Sequence, residues 1–194
     1  MNTEEINLLT KRALSGDKKS LLEILNFLEK FDQPLTRFAS YSILYQFAFN
    51  SLYDIGKYCE ECGGKCCKSG DPIQVFNFDY EEIKKMGGDV GRLRKNGKIH
   101  LLSRPCPFQN GWACSIHKFK PYSCLSYPFA TEDEQMIVIK EYKDGIPDFK
   151  VPEFCTSGKV VKDRLNNVEK ELREKLGRIP SAKEILEFLM KEKT

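Results

Sequence analysis

Eight cysteines fall between positions 59 and 155, and none lies outside that window. Cys59, Cys62, Cys66 and Cys67 spell Cys-x2-Cys-x3-Cys-Cys, and Cys106, Cys114, Cys124 and Cys155 follow singly. Thiols in such numbers serve either disulfides or metal. The chain opens on Met1–Thr10, polar and acidic without a Lys/Arg-flanked apolar stretch, so no secretory signal is expected and the reducing cytosol is the expected compartment. There, clustered thiols bind metal rather than pair. The Lys/Glu-heavy, Gln-poor composition keeps one exception open, the disulfide-rich intracellular proteins of hyperthermophiles. Tetrahedral zinc and cubane iron–sulfur centres each take four thiolates, so eight is the number for two all-cysteine sites. All eight cysteines are therefore candidate ligands, and the cofactor is a [4Fe–4S] cluster or zinc.

Spacing refines this reading. Two thiols in Cys-x2-Cys converge on one ion from a single tight turn, and Gly63-Gly64 after Cys62 lets the backbone fold over them. That is half of a zinc ribbon, but no second Cys-x2-Cys completes one. Cys66 and Cys67 are adjacent. In an extended backbone neighbouring side chains face opposite ways, so the pair is expected to diverge, one thiol to each of two sites. His117, three residues after Cys114, has ligand-like spacing, yet with eight thiols available it reads as a supporting or surface residue.

The second half of the set has its own context: Cys106-Pro107-Phe108, Cys114-Ser115-Ile116-His117, Lys120-Pro121-Tyr122-Ser123-Cys124-Leu125-Ser126-Tyr127-Pro128-Phe129, then Cys155. With Cys59–Cys67 this resembles the YkgJ-type cysteine-cluster family, described as zinc- or iron-chelating, over about Cys59–Cys155. Three positions depart from that pattern: His117 where Tyr is usual, Lys120 for an Arg before Pro121, and Leu125 for an Arg after Cys124. The resemblance implies a metal-binding class rather than a reaction. A related cysteine pattern occurs in flagellin lysine N-methylase, but no recognisable adenosylmethionine-binding fold accompanies it here.

At 194 residues, 41% hydrophobic and 30% charged, the chain suits a single folded domain. Apolar residues at helical spacing predict helices over Glu4–Leu14 and Asp17–Phe31, with Asp17 as N-cap, and a longer one from Pro34. Phe38–Ile55 is the most apolar stretch, but Gln46, Asn50, Asp54 and its serines argue for a buried helix rather than a membrane span. Pro72–Phe78, Lys98–Leu102 and Met136–Tyr142 read as strands, the last for its β-branched Ile137-Val138-Ile139. Asp79 and Glu82 read as the cap of a short helix to Met86, stopped by Gly87-Gly88. From Lys159 a stripe of Val161, Leu165, Val168, Leu172 and Leu176 predicts a helix ended by Gly177, then a last one opened by a Ser181/Glu184 capping box. The expected class is α+β: a helical region over 1–57, a short-stranded, metal-pinned cysteine core over 58–157, and a helical hairpin over 158–194, forming one compact domain.

Net charge is +3, too small to demand a nucleic-acid partner. Lys84, Lys85, Arg92, Arg94, Lys95 and Lys98 nonetheless share a segment with only Asp89 opposing them, and they are the candidate polyanion contact. They lack the interleaved aromatics of single-strand binders. Two functions fit: a metal-cluster scaffold for a macromolecular partner, a protein before a nucleic acid, or a cluster-dependent enzyme, either an oxidoreductase or a relative of protein lysine methyltransferases. The missing phosphate-cradling loop and triad signature favour the scaffold.

Overall fold

A computed structural model describes residues 2–192. Three helices open the chain: α1 (Thr3–Leu14), α2 (Lys18–Glu29) and α3 (Pro34–Phe47), the last running on into a π-helical turn at Ala48–Leu52. Two short helices follow, α4 (Gly56–Glu61) and α5 (Lys65–Lys68). Then come β1 (Ile73–Val75), α6 (Asn77–Lys85), β2 (Arg94–Asn96), β3 (Ile99–Leu102), β4 (Gln109–Asn110) and β5 (Ala113–Cys114). Helices α7 (Tyr122–Ser126), α8 (Glu132–Glu141), α9 (Thr156–Leu176) and α10 (Ala182–Glu192) complete the order. The class is α+β with helical flanks, as expected. No helix among the described residues is long and apolar enough to cross a membrane.

The flanks share one apolar core. Leu9, Leu14, Leu21 and Leu25 from α1 and α2 meet Tyr41, Leu44 and Tyr45 of α3, Val161, Leu165 and Leu172 of α9, and Ile185, Leu186 and Leu189 of α10. Helix ends follow local chemistry. The Asp17 carboxylate accepts from the Lys19 and Ser20 amides, Gly177 ends α9 at φ 68° where a side chain would be strained, and Ser181 and Glu184 cap α10 reciprocally. A second, smaller core lies in the cysteine-bearing middle: Val75, Ile83, Leu93, Leu102, Cys106, Phe108 and Ile116. It is covered by an antiparallel sheet ordered β1-β3-β2, with Ile73 opposite Leu102 and Arg94 opposite Leu101. A two-residue turn, Gly97-Lys98, joins β2 to β3; Gly97 at φ 60° suits the turn whose twist matches the strands.

The polar residues of the most apolar stretch have specific work. Ser42, Gln46 and Asn50 recur every four residues along one side of α3 and its π turn, a spacing that stacks them on one face. Ser42 Oγ donates to Phe129 O, Gln46 Nε2 to Tyr127 O, Gln46 Oε1 accepts from Phe129 N, and Asn50 Nδ2 donates to Leu125 O. The row thus satisfies the buried backbone of the segment that follows Cys124.

Three sequence expectations need correction. The strand expected over Pro72–Phe78 stops at Val75, because Phe76 already caps α6. Asp79 is not the cap but the third helical residue, its carboxylate accepting from Phe76 N at 3.1 Å. Met136–Tyr142 is not a strand: it lies mostly in α8. Glu132, Asp133 and Glu134 in the first turn favour the positive end of a helix, and Gln135, fully buried, bonds Pro128 O, Lys150 O and Lys150 N. Those contacts outweigh the strand propensity of the β-branched run, whose Ile137 is left 65% exposed.

Asp79 also joins the two cores. Wholly buried, it takes Lys11 Nζ of α1 at 2.7 Å and the Tyr122 amide at the start of α7 at 3.0 Å, while Lys11 also pairs with Glu82. Burial pushes the Asp79 carboxyl up, against the opposing pull of Lys11 and the two amides. Lys11→Met therefore strands a buried carboxylate and is expected to cost about 3–5 kcal/mol in denaturant unfolding at neutral pH. Because the folded pKa is raised, the unprotonated form is the costly one, so the deficit against wild type should shrink as acid protonates Asp79. A deficit that is constant with pH would show that the loss comes from packing instead.

Candidate metal centre

Cys59 sits in α4 and Cys62 caps its end, with Cys62 Sγ donating to Cys59 O at 3.3 Å. Gly63 and Gly64, at φ 65° and 64°, reverse the chain into α5, which carries Cys66 and Cys67. No other residue type suits Gly64: a Cβ there would lie 2.8 Å from Trp112 O. Trp112 belongs to the β4–β5 hairpin, whose Gln109 Nε2 donates to Gly64 O at 3.0 Å. One step away, Cys106 N donates to Cys67 O at 2.7 Å. The first cysteine motif is thereby docked onto the loop that carries Cys106 and Cys114.

The eight thiols sort by neighbourhood. Cys66 has Cys155 and Cys59 as electrostatic neighbours, and Cys155 has Cys62 and Cys59. Cys67 neighbours Cys106, Cys114 and Cys124, and Cys106 neighbours the latter two. The first set lies between α4, α5 and the start of α9; the second packs on the small core. Cys66 and Cys67 touch each other at the seam, and Cys59 neighbours both; their other neighbours differ. The backbone on which the sequence argument relied is not the one observed. The pair lies in a helical turn, where consecutive side chains are about 100° apart, not in an extended segment. All eight are free thiols, and among the described residues no three Cys, His, Asp or Glu side chains already surround a common point as ligands do.

The surroundings of the sulfurs suit thiolates. Amide N–H groups of Phe108 and Gln109 point at Cys106, that of Ile116 at Cys114, and that of Gly158 at Cys155. Gly158 is required for this approach, since a Cβ there would lie 2.7 Å from Val151 Cγ1 and 3.1 Å from Cys155 Sγ. The Ser157 hydroxyl, buried, lies 3.1 Å from Cys59 Sγ. Without a cation, burial pushes Cys59, Cys106 and Cys114 up, Cys124 to about 12 and Cys155 to about 11. The Cys66–Cys67 contact raises Cys66 and lowers Cys67 to about 6. A bound cation supplies the charge that holds such thiols deprotonated. The donor set and its amides fit a thiolate-ligated metal.

His117 is exposed in a single 3₁₀ turn. Leu125, where the family resemblance expects an arginine, is buried in the helical core, which leaves no room for a charge. Sequence reasoning missed Arg104, Ser157 and Gly158. Each lies two or three residues from a cysteine, and that proximity was the only signal available. The basic run is dispersed: Lys84 and Lys85 end α6, Arg92 pairs with Asp89 and donates to Pro107 O, and Arg94 and Lys95 sit consecutively on the edge strand β2, facing opposite ways.

Residues 58–144 match the family model described as "CxxCxxCC: Putative zinc- or iron-chelating domain". The matched segment is less than half of the chain and stops before Cys155, whose place with the others rests on its neighbours in the fold. That motif label has two residues between the second cysteine and the pair, where this chain has three, Gly63, Gly64 and Lys65. No curated protein and no solved structure matches.

Cys66→Ser and Cys67→Ser are expected to damage different sets, because a hydroxyl is a poor substitute for thiolate. Metal analysis of each single variant should show about half the wild-type content, and the double variant close to none. Single variants that both spare the same set of thiols, judged by which cysteines remain protected from alkylation, would refute the division.

Proposed function

We propose that this chain, whose residues 58–144 belong to a zinc- or iron-chelating family, holds two separate four-thiolate centres and uses them to fix a surface for another macromolecule. The sorting of its thiols into Cys59/Cys62/Cys66/Cys155 and Cys67/Cys106/Cys114/Cys124 carries this reading. Zinc bound there would cross-link loops; a [4Fe–4S] cluster would do the same and add a one-electron couple.

Two open surface clefts lie away from the cysteines. One lies along α2 at Lys19, Leu22 and Phe27; the other lies between α3 and α10 at Arg37, Tyr41 and Glu184. A protein partner in the cytoplasm is favoured over a nucleic acid. Arg94 and Lys95, consecutive on the edge strand β2, face opposite ways and have a simpler use in discouraging strand addition to an open edge. Salt-sensitive retention on nucleic acid, lost in an Arg92→Glu/Arg94→Glu/Lys95→Glu variant of unchanged metal content, would reverse that preference.

Anaerobic purification with zinc, iron and sulfide analysis tests the proposal. Two zinc ions, or two four-iron clusters with matching sulfide, are expected; protein with neither, after reconstitution, overturns it. Complete chelation should abolish the near-UV dichroism of the middle segment while much far-UV helicity persists, since strands of two to four residues bury little alone. Unchanged near-UV dichroism would mean that metal does not organise this region.

A further inference from the structure

The two thiol sets differ in the charges around them. Arg104 lies within electrostatic reach of Cys67, Cys106 and Cys124. Lys120 is close to the same set through Cys67, Cys114 and Cys124, and also to Cys59. Around the other set no arginine is found among the described residues: Lys120 reaches Cys59 alone, Glu134 neighbours Cys155, and the Tyr127 phenol neighbours Cys155, Cys66 and Cys62.

Arg104 carries a second, independent anomaly. Its Nη1 is buried and has no hydrogen-bond partner, and among the described residues no carboxylate pairs with it. Leaving a buried guanidinium N–H without an acceptor is unfavourable, so such a group points to an anionic acceptor that completes it. Four thiolates around a dication carry a net double negative charge, whether the dication is zinc or a [4Fe–4S]²⁺ core. The surplus needs a counter-charge when it is removed from water.

We propose that Arg104 is the counter-ion of the Cys67/Cys106/Cys114/Cys124 centre, that its unpartnered Nη1–H would take a thiolate sulfur once metal is bound, and that it makes this centre the tighter of the two. The assignment rests on the two-centre reading above. Arg104 is a positioning and charge-balancing residue rather than a ligand: guanidinium stays protonated and does not coordinate metal. The Cys59/Cys62/Cys66/Cys155 centre has the Ser157 hydroxyl at Cys59 in place of a dedicated cation, so it is the weaker and more readily emptied one.

The test is anaerobic titration of full-length, metal-stripped protein with Co²⁺, read by thiolate-to-cobalt absorption, followed by competition with Zn²⁺. Wild type should fill in two resolvable steps, and Cys124→Ser should remove the tighter one. Arg104→Met should weaken that same step by about 10- to 100-fold, the usual effect of losing a partner just outside the ligands. The other step should be unmoved. Arg104→Lys, which keeps the charge without the planar fork, should recover part of the loss and guards against misfolding of the Met variant. Superimposable wild-type and Arg104→Met titrations, equal weakening of both steps, or an Arg104→Lys protein as weak as Arg104→Met would each overturn the assignment. A wild-type protein with no thiolate–cobalt absorption would instead overturn the two-centre reading beneath it.

Discussion

The Asp79 carboxylate is the junction on which the arrangement of the chain depends. It lies at the meeting point of three segments far apart in sequence, and each contributes a donor: the Lys11 ammonium from the first helix, the Phe76 amide at the cap of α6, and the Tyr122 amide where α7 begins. A carboxylate removed from water tolerates no missing partner, because the cost of desolvation is recovered only when its lone pairs are met. Asp79 thus fixes the orientation of the helical flank relative to the sheet. Cys124 stands two residues beyond Tyr122, so the same carboxylate sets the position of one thiol of the second set.

The polar side of α3 does the complementary task from the opposite direction. Ser42, Gln46 and Asn50 take hold of the backbone from Leu125 to Phe129. Apolar side chains alone could press against that segment but could not satisfy its carbonyls and amides. The π-helical turn at Ala48–Leu52 widens the helix at the place where Asn50 makes its contact. Most of the cysteines sit on short elements, α4, α5, β5 and α7, that bury little by themselves, and these two anchors help to hold them in place.

What could be read in advance was local. Asp17, Gly177 and the Ser181/Glu184 pair announce helix ends because a cap is made by residues within four positions of one another. The helical stripes were legible for the same reason. The outer limit of that legibility is seen at α8, where Ile137-Val138-Ile139 has strand propensity but Gln135 is fastened to Pro128 and Lys150; nothing local to the run announces those partners. Asp79 was recognised as a helix-start residue while its pairing with Lys11, 68 positions away, was invisible. For the site, the sequence supplied the thiols and their number, but spacing reports how near two cysteines are and not which way each one turns. Arg104 was hidden more thoroughly, since an arginine in a loop reads as solvated surface until burial is known.

The seam at Cys66 and Cys67 has a thermodynamic consequence. Cys66 and Cys67 in a four-residue helix share one peptide plane, so a backbone shift that moves one thiol moves the other. With the two thiols serving different centres, as proposed, a backbone shift on filling one set would change the free energy of filling the other. Such coupling is reciprocal by necessity: the factor by which the first ligand alters the second's affinity is the factor by which the second alters the first's. The two centres would then behave as one linked system, filling and emptying with a cooperativity whose sign is set by a single turn of backbone.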